Sequence, residues 1–277
     1  DYDNVTQSTL TINTTAASDH DGVTLASTTT GAVVVNGGTD NNTITTGGGA
    51  DTVNGGAGAD SISGNAASDI LTGGTGNDTI DGGAGLDTAV FSGARGAYTI
   101  TWNGTTATVT GPDGTDTVTG VGKLSFDGDE DIFLVSATGD YATIQSGIDA
   151  AGTGDTVLVA AGTYTENLTI AKSISLLGAQ SGTAASGSSR GGGESVINGS
   201  GTFAVTIIAD NVTVDGFEIT GFGRDGINVR TLEVAKPGNP AIGAFRTDVT
   251  IANNWIHSDD VTTSQRDHGG VRDPFRR

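Results

Sequence analysis

Asp51, Asp60, Asp69, Asp78 and Asp87 recur every nine residues, and Asn42 stands in the same phase ahead of them. Carboxylates returned at a fixed interval suit a hard cation, which prefers oxygen ligands. Such ligands must be presented by a backbone able to turn sharply and bring carbonyl oxygens close together. Glycines placed just before each aspartate permit that, because they take positive φ without a Cβ in the way. After each aspartate comes a short run with an apolar middle residue, the pattern of a brief strand with one inward side chain.

Cut into nines, residues 37–90 read GGTDNNTIT, TGGGADTVN, GGAGADSIS, GNAASDILT, GGTGNDTID and GGAGLDTAV, with nothing left over between units. A chain with 46 glycines yields isolated G-G-x-G by chance, but not six units in register. The pattern G-G-x-G-x-D-x-U-x resembles the nonapeptide of the RTX (repeats-in-toxin) family, whose repeats wind into a calcium-binding parallel β-roll. The resemblance implies that one coil takes two units, so that turns on one edge lie eighteen residues apart. Asn42, Asp60 and Asp78 then share one edge, and Asp51, Asp69 and Asp87 the other.

Calcium ions are expected between vertically adjacent turns, at Asp60/Asp78, Asp51/Asp69 and Asp69/Asp87. A fourth position, Asn42/Asp60, has lost a charge, so about three or four ions are expected. The first-position glycines Gly37, Gly55, Gly73 and Gly82 join this ligand set; the second unit opens on Thr46 and adds none. Ile44, Val53, Ile62, Leu71, Ile80 and Ala89 are the expected inward residues. The fourth unit departs from the pattern, with Asn65 and Ala67 where glycine is expected. Six aliphatic side chains are too small a core to offset the backbone entropy of the ordered coils. Metal binding is expected to supply the missing folding free energy.

Composition narrows the partners. Twelve basic against 32 acidic residues give a net charge of −20, and the first basic side chain is Arg95. Nucleic acid is excluded as a partner on that balance, and a cation is favoured. There is no cysteine, hence neither a disulfide nor a thiolate metal site. No apolar run is long enough for a membrane span, and no basic-plus-apolar signal peptide opens the chain. The chain starts at Asp1 and contains no methionine, which reads as a processed product or a piece of a longer parent.

Around the repeats, the fold class expected is all-β. Residues 1–36 are read as a β lead-in, with Thr28 to Asn36 a degenerate first turn and His20 in a solvated loop. Residues 91–133 are read as a β-hairpin cap and connector: Tyr98 to Trp102, a type I′ turn at Asn103-Gly104, Thr105 to Thr110, and a second turn at Gly111-Pro112-Asp113-Gly114. Stacked repeats need such caps. Asp127 to Asp131 begins like an EF-hand loop, but Ile132 and Thr138 stand where glycine and glutamate belong, so it is read as an exposed acidic turn.

From residue 134 to 264 a second architecture follows. Asp140 is expected to cap a short helix carrying Tyr141, Ile144 and Ile148 and stopped by Gly152. The helix, then D-T-V-L-V-A-A-G-T-Y-T-E from Asp155 and I-S-L-L-G from Ile174, resembles the start of a right-handed parallel β-helix of the pectin-lyase-like superfamily. V-T-V-D-G-F-E-I from Val212 and V-T-I-A-N-N-W-I from Val249 read as one strand-turn-strand unit on different coils. Asn198, Asn211 and Asn254 are read as turn or stacking asparagines, Thr231 to Arg246 as an insertion, and residues 265–277 as an irregular tail.

That second resemblance implies lyases, hydrolases and uronate epimerases, whose groove residues here would be Arg224, Asp225, Arg230, His257, Asp259 and Asp260. The epimerases' D-P-H-E motif is absent; the one Asp-Pro, Asp273-Pro274, lies in the tail. The reading favoured is therefore a non-catalytic, calcium-folded module of an exported bacterial surface or matrix protein, passed by a type I exporter and folded by calcium outside the cell. Two alternatives stand beside it. One is a fragment of a polysaccharide lyase or C5-epimerase acting on an acidic polysaccharide such as alginate or pectate. The other is an S-layer or adhesin subunit that self-assembles through its coil ends.

Overall fold

The computed structural model of the chain describes residues 10–13, 23–24, 30–128, 130–183, 193–230 and 246–257. His20, Asp259, Asp260 and the tail lie outside the described residues, as does the Thr231 to Arg246 insertion apart from its last residue.

The first part is a flattened coil with two parallel faces. Its strands are β1 (Leu10–Asn13), β2 (Val23–Thr24), β3 (Val33–Gly38), β4 (Thr43–Thr45), β5 (Thr52–Ala57), β6 (Ser61–Ser63), β7 (Ile70–Thr75), β8 (Thr79–Asp81) and β9 (Thr88–Val90). Odd-numbered strands stack on one face and even-numbered strands on the other, all parallel. The register is the eighteen-residue stagger expected: Ile44 pairs with Ile62, Ile62 with Ile80, Val53 with Leu71 and Leu71 with Ala89. All six inward residues are buried to 0–1% exposure. From β4 to β9 each strand buries one aliphatic side chain, while β3 buries two, Val33 and Val35.

The cap follows as β10 (Thr99–Trp102), β11 (Thr106–Gly111), β12 (Gly114–Thr119) and β13 (Lys123–Ser125). β10, β11 and β12 are antiparallel neighbours, but β12 then lies parallel against β8 and extends that face of the roll. The first turn differs from the expectation. Asn103 pairs with Thr106 through its N–H, so the central residues are Gly104 and Thr105, and only Gly104 has positive φ, 101°. That is the pattern of a type II′ rather than a type I′ loop. Asn103 is held outside it by its own Oδ1, which accepts from the N–H groups of Thr105 and Thr106. Phe91, Tyr98 and Phe126 pack ring to ring over the open end of the core.

The chain reverses at β14 (Ile132–Val135), which runs antiparallel to β13 and parallel to the strand after it. Helix α1 (Ile144–Ala150) comes next. Its N-cap is Thr143, whose side chain accepts from the Ser146 N–H, and Glu166 accepts from the N–H groups of Ile144 and Gln145. Asp140 is not the cap. It faces the roll instead, as described below.

The remainder is a three-faced parallel coil: β15 (Thr156–Val159), β16 (Gly162–Tyr164), β17 (Leu168–Ile170), β18 (Ser175–Leu177), β19 (Ser195–Asn198), β20 (Phe203–Ile207), β21 (Val212–Asp215), β22 (Phe217–Thr220), β23 (Asp225–Val229), β24 (Val249–Ala252) and β25 (Trp255–Ile256). β15, β18, β21 and β24 continue the roll's first sheet; β16, β19, β22 and β25 form a second face, and β17, β20 and β23 a third. The two Val-Thr units are one coil apart, Val212 beside Val249 and Glu218 beside Trp255. Asn254 ties these coils together, its Oδ1 accepting from Phe217 N and its Nδ2 donating to Val214 O. This is the stacking role expected of it.

Candidate metal centre

The turns of the roll take their shape from the glycine positions. At the second and fourth positions the backbone has positive φ, 106° at Gly74 and 137° at Gly76. A Cβ on Gly74 would stand 1.8 Å from the carbonyl oxygen of Gly56 on the preceding coil, so no larger residue fits the stack. The fourth unit meets the same demand without glycine: Asn65 and Ala67 have φ of 68° and 73°. The turn is kept, at the cost of holding a Cβ-bearing residue in the left-handed region.

Stacked turns place the aspartates in two ladders, one on each edge. On one, Asp60 Oδ1 accepts from Asn42 N at 2.7 Å and Asp78 Oδ1 from Asp60 N at 2.8 Å. On the other, Asp51 Oδ1 accepts from Val33 N at 2.9 Å, Asp69 Oδ1 from Asp51 N at 2.7 Å and Asp87 Oδ1 from Asp69 N at 2.7 Å. All five carboxylates are 1–2% exposed. In each, the second oxygen, Oδ2, is buried and has no hydrogen-bond partner.

The orphaned oxygens point at a shared gap. A Cβ built on Gly55 would lie 2.3 Å from Asp60 Oδ2 and 2.7 Å from the carbonyl oxygen of Gly73. One built on Gly64 would lie 2.2 Å from Asp69 Oδ2 and 2.7 Å from Gly82 O. Carboxylate and carbonyl oxygens thus converge on a space that only the missing glycine side chain keeps open. Among the described residues no three acidic or histidine side chains group as a metal site by themselves. The donor set is mixed, one carboxylate per turn with backbone carbonyls, and that oxygen-only chemistry fits calcium.

Electrostatics point the same way. Burial pushes the Asp69 carboxyl up to about 7 and that of Asp87 up to about 6, and neighbouring carboxylates push them further while the backbone N–H bonds pull them back. Asp51, Asp60 and Asp78 are also raised, burial again being the largest cause. Buried anions stacked in line call for a counter-charge.

Two expected positions are less open than their neighbours. Thr46 stands where the other units have glycine, and its hydroxyl donates to the Gly64 carbonyl at 3.0 Å, filling the gap beside Asp51. Asn42 turns its amide to the Asp40 carbonyl. Gly37 retains the close stack, a Cβ there striking Gly55 O at 2.1 Å.

Sequence reasoning missed where the ladders end. Asp78 N donates to Asp116 Oδ1 at 2.8 Å and Asp87 N to Asp140 Oδ2 at 3.2 Å, so a cap residue and a residue from beyond the chain reversal each add a rung. For Asp116 a signal was present, since GPDGTDTVT, residues 111–119, is itself a degenerate nonapeptide. For Asp140 there was none.

The groove candidates fall apart in space. Arg224 and Asp225 form an exposed ion pair at 3.3 Å at the start of β23, and Arg230 lies at that strand's far end, where its carbonyl accepts from Arg246. His257 follows β25 on another face, 2.8 Å from Glu218 and against the Trp255 ring. Thr163, Glu194, Glu218 and Trp255 line an open depression there.

The fold and the ladders define a parallel β-roll whose turns offer oxygen to a cation. Residues 29–62 and again 63–90 match the family model of the RTX calcium-binding nonapeptide repeat (4 copies), so the roll consists of RTX calcium-binding repeats. Among solved structures, the extracellular lipase LipA from Serratia marcescens aligns with 82% of this chain at 16% identity and a TM-score of 0.19, too low to equate the two folds. This chain spans 38% of the lipase's length. No curated protein matches.

Proposed function

We propose that the chain is a calcium-folded extracellular module of a secreted RTX surface or matrix protein, non-catalytic in itself. In this reading residues 1–36 lead into a roll over 37–90, residues 91–133 cap it, and residues 134–264 begin a pectin-lyase-like β-helix. The observation that carries it is the series of five buried aspartates, each with one oxygen bonded to the adjacent coil and one without a partner. Asp60, Asp69, Asp78 and Asp87, with the carbonyls of Gly55, Gly73 and Gly82, would hold calcium; Asp51 and Asn42, beside Gly37, are the more occluded positions. A bound ion would supply positive charge between stacked anions. Low calcium inside the cell would leave the roll unfolded for a type I exporter, and extracellular calcium would fold it, with a Kd of roughly 10⁻⁴–10⁻³ M.

Titrating calcium into chelator-treated protein, with heat and circular dichroism followed together, tests this. The expected result is a cooperative gain of strand signal with about three or four ions bound. Equal strand content in chelator and in calcium would contradict it.

A second reading has one observation in its favour. The Trp255, His257 and Glu218 group beside the open depression offers a flat ring and polar groups, which suits a glycan chain. If the module belongs to a lyase or epimerase, alginate or pectate would yield ultraviolet-absorbing or inverted products.

A further inference from the structure

The sequence holds four Asn-Gly pairs: Asn36-Gly37, Asn54-Gly55, Asn103-Gly104 and Asn198-Gly199. A glycine after asparagine leaves the peptide nitrogen open to the asparagine side chain, because no Cβ stands in the way. Attack of that nitrogen on Cγ closes a five-membered ring. It requires a backbone that can swing out of the extended form and an N–H not committed to a ladder.

Three of the pairs are held in sheets. Asn36 and Asn54 lie within β3 and β5 and pair with each other, and Asn54 pairs with Thr72 on its other side. Asn198 ends β19 opposite Thr220, and Gly199 N donates to the Thr220 carbonyl at 2.9 Å.

Asn103 and Gly104 are placed otherwise. Asn103 is exposed between β10 and β11, and Gly104 opens the two-residue loop, outside the ladder. Asn103 Oδ1 accepts from Thr105 N at 3.0 Å, from the Thr105 hydroxyl at 3.0 Å and from Thr106 N at 2.8 Å. Three donors on one carbonyl oxygen draw electrons from Cγ. They also stand where a tetrahedral intermediate would need them, since Oδ1 itself becomes the oxyanion. The hydrogen bonds that shape this turn thus activate its amide.

We propose that Asn103 is a self-modifying site, converted by its own backbone to aspartate and isoaspartate. Gly104 N bonds to Asn103 Cγ, the Cγ–Nδ2 bond breaks, and the amide group leaves as ammonia with the Gly104 amide proton. Water then opens the cyclic imide. Opening at Cγ gives aspartate, and opening at the main-chain carbonyl carbon gives isoaspartate, with one more carbon in the backbone. Calcium plays no part in the step. A Cβ on Gly104 would lie 3.1 Å from Ala160 Cβ, so the new charge falls where the hairpin tip rests on the first coil of the helix.

The test is a time course on the full-length, calcium-loaded protein in warm, mildly alkaline buffer, with every Asn-Gly peptide followed by mass spectrometry. The Asn103 peptide should convert first, well ahead of those of Asn36, Asn54 and Asn198. In urea the other three should speed up, while Asn103 should slow down, because unfolding removes its three donors. Thr105→Ser should keep the wild-type rate, and Thr105→Val should lower it on the order of tenfold, less than the loss of a donor costs in a buried site. Asn103→Gln should leave that peptide unchanged in mass. Conversion of Asn103 no faster than that of Asn198, conversion faster in urea than in the folded chain, or an unchanged rate in Thr105→Val would overturn the proposal.

Discussion

Asp69 in the roll and Asp155 in the β-helix are both buried carboxylates, 1% and 7% exposed, yet their surroundings differ. Asp155 bonds through both oxygens, Oδ1 accepting from Asp131 N at 2.9 Å and Oδ2 from Gly152 N at 2.6 Å. Asp69 bonds through one, and the other faces a gap between coils. The cores differ in the same sense. Around Val157, Leu176, Ile197, Val214 and Phe217 the three faces of the helix enclose a continuous apolar cluster. In the roll, each strand from β4 to β9 contributes one buried aliphatic residue. Parallel coils of similar appearance, sharing one eleven-stranded sheet, thus rest on different forces. A buried carboxylate alone does not mark a metal-dependent fold; a periodic series of half-satisfied ones beside a thin core does.

The largest effect expected is in the helix. Leu176→Ala, at 0% exposure, should cost about 2–5 kcal/mol by thermal or denaturant unfolding, equally in calcium and in chelator. A calcium-dependent cost would mean that the two regions are not held separately.

Next comes the pair of aspartates. Asp69→Asn should raise the calcium concentration at the folding midpoint on the order of tenfold, since affinity follows ligand charge. Asp155→Asn should leave that midpoint where it is and weaken the helix by about 1 kcal/mol. Parallel calcium titrations of both variants check this.

Acid should act in opposite directions on the empty and the loaded roll. Without metal, Asp69 titrates at about 7 in the folded roll against 3.8 for the unconstrained group, so the folded state binds more protons. Stability of the empty roll therefore rises as pH falls through that window and is lost as pH climbs above it. With calcium, protons compete for the same oxygens, and the midpoint should move to higher calcium below about pH 6. Calcium titrations at several pH values, with strand content in chelator as reference, should show both trends; a midpoint independent of pH would remove the carboxylates from the site.

The smallest effect is local. Ala67→Gly relieves a φ of 73° and should stabilise the calcium-loaded roll by about 1 kcal/mol. No gain would mean that Ala67 does not hold the left-handed turn in solution.

What could be read in advance was whatever repeats. The nine-residue period marked the inward residues and the aspartates by phase, and the resemblance to the RTX roll, with two units to a coil, added the stagger and the two edges. The unit at residues 111–119 escaped because Pro112 replaces its second glycine and the hairpin strands before it break the phase. Asp140 was read as a helix cap, a role aspartate commonly fills. Thr143 takes that role, and Asp140 reaches Asp87 from beyond the reversal between β13 and β14; the turn at Asp127 to Asp131 is visible in sequence, but nothing local says that it brings Asp140 to the roll. The plug at Thr46 was equally hidden, since a threonine at a glycine position shows its effect only once its hydroxyl is placed on the next coil.

Amide hydrogen exchange measured region by region, in calcium and then in chelator, tests the division between roll and helix most directly. The amides of Ile62, Leu71 and Ile80 should be protected in calcium and exchange rapidly without it, while those of Val157, Leu176 and Val214 stay protected in both. Protection of the roll amides in chelator, or loss of protection in both regions together, would contradict the account.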